Sequence, residues 1–228
     1  MITALPVTLL VTFLPGRSGD GLLRQQAYFQ LKQKIINLTF SPASLLREAD
    51  LVAELGLGRT PIREALQRLA FEKLVVIVPR LGIMVTDLNE RDLWNILEIC
   101  LELEPCAVRL ATARASVAQI REIDTLCSNV EFCLEARQLI WLEYRAHCLL
   151  AQATHNQFLD GTLAWLHTHL TRWRFFLRPD LAAKVAERVE ELGAIVDAVR
   201  GGDGDLAARL MKRHLTDISE GFRETVGK

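Results

Sequence analysis

Leu55-Gly56-Leu57-Gly58-Arg59-Thr60-Pro61-Ile62-Arg63-Glu64-Ala65-Leu66-Gln67-Arg68-Leu69 is the stretch on which the reading of this chain turns. Gly56 follows a short apolar-periodic segment, Glu48 to Leu55, and suits the left-handed residue that ends a helix. Thr60-Pro61 then reads as an N-cap with proline in the first helical position, opening a helix whose Ile62, Ala65, Leu66 and Leu69 share one face. Two short helices across a tight glycine-containing turn make a helix-turn-helix. Arg59 and Arg63, four residues apart, project together from the start of its second helix, where base edges are met in the major groove.

The flanking sequence fits the same unit. From Leu23 to Leu38 apolar residues recur at Ala27, Leu31, Ile35 and Leu38, with Lys32 and Lys34 off that stripe, so a helix precedes the pair and Ser41-Pro42 ends it. After Glu72-Lys73, the apolar runs Val75 to Val78 and Ile83 to Val85 surround Pro79-Arg80-Leu81-Gly82, which reads as a β-hairpin, the wing of a winged helix-turn-helix. Arg24 to Val85 holds nine Lys/Arg against five Asp/Glu, a balance of +4, whereas Thr86 to Lys228 holds seventeen against twenty-two, a balance of -5. A basic module joined to an acidic one suits a nucleic-acid reader with a separate control domain. Met1 to Pro15 is apolar but has no Lys or Arg before the apolar run, no A-x-A cleavage signal and too little length to span a bilayer, so residues 1–22 read as an arm and a flexible linker.

Beyond Asp87 no strand signal recurs. Helices are expected at about Glu90 to Ala115, Val117 to Arg137, Leu139 to Thr154, Phe158 to Leu177, Ala182 to Val199 and Asp205 to Val226, with Ser116-x-x-Gln119 as a capping box and Gly201 to Gly204 closing the fifth. The expected architecture is therefore mostly α: a winged helix-turn-helix over residues 23–86 and an all-α bundle of about six helices over 87–228. The five cysteines, Cys100, Cys106, Cys127, Cys133 and Cys148, form no C-x-x-C pair and read as reduced, which implies a cytoplasmic protein with no membrane partner.

The segment Leu55 to Leu69, followed by Glu72-Lys73-Leu74-Val75 and a wing with Gly82, resembles the winged helix-turn-helix of the GntR family. Leu103-Glu104-Pro105-x-Ala107-x-x-Leu110-Ala111, with Phe158-Leu159 after His155-Asn156, resembles its FCD subfamily. The resemblance implies a transcription regulator that binds a pseudo-palindromic operator in double-stranded DNA as a homodimer and answers to a small-molecule effector, and no catalytic residue. Arg59 and Arg63 are the expected readers, Thr60 at the helix start suits a phosphate contact, Arg47, Arg68 and Arg80 suit further phosphate contacts, and Gly82 would let the wing approach the minor groove. Gly58 stands where the family usually has serine, and Ala49 where some members carry arginine.

The resemblance also implies a divalent metal held by an Asp and three His. Glu143 and His147 take the places of an Asp-x-x-x-His pair, His214 matches a later histidine, and Leu192 stands where another histidine belongs. Glu143, His147 and His214 remain a sufficient triad for zinc, nickel or manganese; spacing alone reads the two histidines equally as core residues satisfied by helix neighbours. Cys100 replaces an arginine that often holds an effector carboxylate, so the expected pocket around Cys100 and Leu192 is less polar, with Arg172 or Arg174 either restoring the charge or lying on the surface. Trp141, Trp165, Trp173, Phe175 and Phe176 read as packing. Two other readings are a constitutive DNA binder with a decayed sensor and a metal-dependent hydrolase on the same triad, the latter without any nucleophile motif or phosphate loop to support it.

Overall fold

In the computed structural model, residues 19–128, 136–177 and 182–226 are described, and the chain divides into two compact units between Leu88 and Asn89. Residues 1–18 of the expected arm and linker, and Cys133, lie outside those residues, whereas Gly19 to Leu22, expected as the end of the linker, belong to the first helix.

The first unit runs α1 (Gly19–Ile36), β1 (Leu45–Leu46), α2 (Glu48–Leu55), α3 (Arg59–Phe71), β2 (Val75–Val78) and β3 (Gly82–Val85). Ala27, Leu31 and Ile35 of α1 meet Ile62, Ala65, Leu66 and Leu69 of α3 in one buried cluster, the two apolar stripes that helical spacing predicts. Each fully buried leucine or isoleucine there contributes about 2 kcal/mol relative to an exposed one. Leu38 lies past the end of α1 at φ 60°, so the helix is shorter at this end than its periodicity suggested. The strands form one antiparallel sheet in the order β1-β3-β2, with Val76 opposite Met84 and Leu46 opposite Ile83. β1 is absent from the sequence reading because two residues carry no periodicity.

The start of α3 differs from expectation. Gly58, extended at φ -65° and ψ 164°, is the N-cap, so Thr60 lies inside the first turn and Pro61 is the third helical residue. Proline is accommodated there because the first-turn N–H groups have no intrahelical acceptor. Gly56 ends α2 at φ 64°, its N–H donating to the Val52 carbonyl. A side chain there would be strained in the left-handed region, so Gly56→Ala is expected to cost about 1 kcal/mol in urea melts without altering the fold.

The second unit is all α: α4 (Glu90–Arg114), α5 (Val117–Ser128), α6 (Ala136–Gln152), α7 (Gln157–Phe176), α8 (Ala182–Arg200) and α9 (Gly204–Val226). α4 packs on α9 and α7, α6 on α7 and α8, and α8 on α9. The capping box is formed, with Gln119 N–H donating to Ser116 Oγ at 3.2 Å and Ser116 N–H to Gln119 Oε1 at 3.0 Å. Asn89 and Asn156 cap α4 and α7 in the same manner, their side-chain oxygens accepting first-turn N–H groups. Ala136 and Arg137, read as the end of one helix, belong to the start of α6. α4 continues through Pro105. Trp173 and Phe175 are buried whereas Phe176 is half-exposed, so the aromatic run is packing on one side only. Among the described residues no helix is long and apolar enough to cross a membrane.

Candidate nucleic-acid interface and buried histidine cluster

In the first unit, α3 presents Arg59, Thr60 and Arg63 to solvent over its first turns while Ile62, Leu66 and Leu69 fix its other face in the core. The unpaired N–H groups of this helix start add partial positive charge beside the two guanidinium groups. A groove of about 530 Å³ separates α3 from the wing, with Arg47, Glu48 and Arg63 on one side and Ile77, Arg80 and Leu81 on the other. Arg80 is held at φ 66° in the wing turn, where the Leu81 N–H donates to the Val78 carbonyl at 3.2 Å, and its side chain is exposed. Gly82 stands at φ 111°, a backbone conformation that a side chain would strain, with an added Cβ 3.4 Å from the Leu46 carbonyl oxygen of β1.

Arg68 is exposed on the same helix and also braced within the unit. Its guanidinium lies 3.6 Å from the centre of the Tyr28 ring and pairs with Glu72 at 3.3 Å, while Lys32 pairs with the other Glu72 oxygen at 2.8 Å. Burial opposes ionisation of Glu72, yet Lys32, Tyr28 and Arg68 together hold its carboxyl below the usual range. This cluster ties α1 to the end of α3 and so helps fix the angle of the reading helix.

In the second unit five helices converge on two imidazoles. His147 of α6 gives Nδ1 to Glu104 Oε2 of α4 at 2.5 Å, and His214 of α9 gives Nδ1 to Glu191 Oε2 of α8 at 2.6 Å. A carboxylate only accepts, so each Nδ1 donates its N–H and each ring turns its Nε2 inward. The two Nε2 atoms face each other at 3.3 Å. Glu143 Oε1, one helical turn before His147, lies 3.7 Å from His214 Nε2 and has no hydrogen-bond donor, although the residue is fully buried. Two inward-facing imidazole nitrogens and a buried carboxylate oxygen without a donor make a ligand-type group, so these three residues fit the metal that the family resemblance implies.

The surrounding charges are ordered around this set. Arg174 of α7 pairs with Glu143 through its other oxygen, and that guanidinium, with His214, keeps the Glu143 carboxyl below its usual range against the opposing effect of burial. Glu104 is held well below that range, burial again opposing, by His167 and His147; His167 Nε2 lies 3.1 Å from its second oxygen and the His167 ring is stacked 4.3 Å from that of His147. Arg188 of α8 reaches α9 at Gly221, where an added Cβ would be 2.7 Å from its Nη2. Burial, with Arg174 nearby, lowers the Arg188 pKa, while Glu143 and Glu191 favour its charge.

The structure therefore brings Glu143, His147 and His214 together and adds Glu104, His167, Arg188 and Glu191, which the sequence reading did not assign. Arg172 and Arg174 are buried, at 1% and 8% exposure, which removes the surface alternative for both. Cys100 is buried one turn before Glu104 with its thiol against that carboxylate, so burial and the negative charge push the thiol pKa up. Leu192 is fully buried beside Glu191.

The model of the gntR family of bacterial regulatory proteins matches residues 23–85, and that of the FCD domain matches residues 95–217. The chain is 32% identical over 142 residues to the uncharacterized HTH-type transcriptional regulator YdhC of Bacillus subtilis (strain 168), a match spanning 60% of this chain and 63% of that protein. It is 26% identical to the HTH-type transcriptional repressor RspR of Escherichia coli (strain K12), over 89% of this chain and 90% of that one. Among solved structures, E. coli McbR/YncC superposes with a TM-score of 0.78 at 20% identity, over 89% of this chain and 97% of that one. A GntR regulator from Rhodococcus sp. RHA1 gives 0.70 at 23% identity, over 87% and 96%.

Proposed function

From the premise that this chain belongs to the GntR family of bacterial regulatory proteins and carries its FCD domain, and is thus a DNA-binding transcriptional regulator, we propose that a small carboxylate effector bound at the buried histidine cluster sets its affinity for DNA. The observation that carries the proposal is the opposed pair of Nε2 atoms, 3.3 Å apart, each ring fixed from behind by a carboxylate. Glu143, His147 and His214 would hold one divalent cation, with Glu104 and Glu191 setting the imidazole tautomers. Zinc, nickel and manganese all suit this set. The bound ion supplies a positive centre on which a carboxylate can dock. Arg174 and Arg188 give the same region fixed positive charge, and the buried Cys100 and Leu192 bring no cation or imidazole of their own.

At the other unit, Arg59 and Arg63 read guanine edges, Thr60 and the helix start meet phosphate, and Arg47 and Arg80 hold the backbone on either side of the groove. One such head contacts little DNA, so the working form is a homodimer on a two-fold site. Effector binding shifts DNA affinity only insofar as the effector prefers one arrangement of the two heads over another.

Metal content and chelator titration test the cluster. Leu192→His restores a fourth side-chain ligand and is expected to hold zinc against roughly tenfold more chelator than the natural chain, whereas His147→Ala loses the ion. Zinc absent from the natural chain and from Leu192→His alike would overturn the cation at the centre of this reading. A thermal shift and a change in DNA affinity with small carboxylic acids, both lost in His147→Ala, are the corresponding expectations for the effector.

A further inference from the structure

Arg63 is held from behind. Its Nε–H donates to Glu48 Oε2 at 2.8 Å, joining the start of α2 to the exposed face of α3 at one wall of the groove. A guanidinium offers five N–H groups in a rigid fork, so occupying Nε leaves the two Nη groups at its outer end. That end carries two parallel N–H bonds, the geometry that meets guanine O6 and N7 together. Glu48 is itself placed by the fold: it lies in the first turn of α2, where the helix dipole favours a carboxylate, and its side chain is only 34% exposed against 61% for Arg63. Its negative charge also stands in a groove whose cationic side chains are Arg47, Arg63 and Arg80, where it disfavours phosphate contacts made without a correct base.

We propose that Glu48 is a specificity-determining positioning residue, which orients Arg63 end-on for guanine and suppresses binding to arbitrary sequence. This rests on the reading of Arg63 as a base reader. Selection from a randomised duplex pool by the full chain, read by sequencing, tests both separately. Arg63→Ala is expected to flatten preference at particular guanine positions. Glu48→Ala is expected to weaken preference by roughly tenfold at those same positions and to bind an unenriched duplex severalfold more tightly at matched salt. Glu48→Gln, uncharged but still able to accept from Nε, is expected to keep preference within about threefold of the natural chain. In the Arg63→Ala background Glu48→Ala changes the guanine positions no further. Glu48→Ser retains a polar residue at the helix start but is too short to reach Nε, and it takes the place of Glu48→Ala if that variant melts early. Preference left intact by Glu48→Ala and Glu48→Ser, or lost at positions that Arg63→Ala does not touch, overturns the role of Glu48. Preference left intact by Arg63→Ala overturns the base reading itself and, with it, this role.

Discussion

Arg59→Ala and Arg63→Ala are each expected to weaken binding to a selected duplex by about 1–3 kcal/mol while leaving binding to arbitrary duplex much less affected. Both side chains are exposed on the leading turns of a helix whose opposite face is locked into the core, so truncation removes contacts to DNA without opening a cavity. The loss belongs to specificity because two donors on guanine O6 and N7 discriminate among base pairs, whereas a single charge on phosphate does not. Arg80→Ala, at the exposed wing turn, is expected instead to weaken selected and arbitrary duplexes alike and to lower the salt slope by about 1. Anisotropy titrations at matched salt check this; full affinity in both helix variants would remove α3 from the interface.

Glu143→Ala is expected to destabilise the helical unit by about 3–5 kcal/mol, because it strands the buried Arg174 guanidinium without its carboxylate. Replacing both, as in Glu143→Leu with Arg174→Met, is expected to recover most of that loss, since a well-packed apolar pair avoids the desolvation of two ions. The pH dependence has a definite sign. The Glu143 carboxyl is lowered from 4.5 in the fold, so its stabilisation is complete above that value and is lost as pH falls through the lowered one. Glu143→Ala should therefore flatten the acid limb of stability as well as lower its plateau. Urea melts of the chain across that range measure both, and an unchanged midpoint in Glu143→Ala would show that the ion pair is not a structural element.

The two halves of the molecule were unequally legible. Gly56, the Ile62-Ala65-Leu66-Leu69 stripe and the β-branched wing each carry a local signal, and together they identify the reading head. Thr60 shows where local reasoning stops: Thr-Pro is a good cap signal, but the helix begins at Arg59 and Gly58 holds the cap position without any side-chain bond. The triad Glu143, His147 and His214 came from resemblance and spacing, whereas the partners of its imidazoles did not. Glu104 lies 43 residues from His147 in sequence and Glu191 lies 23 from His214, and only the packing of α4 on α6 and α8 on α9 brings them together. Arg174 carries no mark of burial in a single sequence, because its counter-charge, Glu143, arrives from another helix.

We propose that this chain reads specific duplex DNA as a symmetric pair through α3. Sequencing the duplexes that the full chain retains from a randomised pool tests it most directly. The expected result is an enriched pseudo-palindrome, with guanine-containing half-sites separated by about one helical turn or a multiple of it, that weakens when Arg59 or Arg63 is replaced by alanine. A retained pool with no enriched sequence, or one whose enrichment is untouched by either replacement, would contradict it.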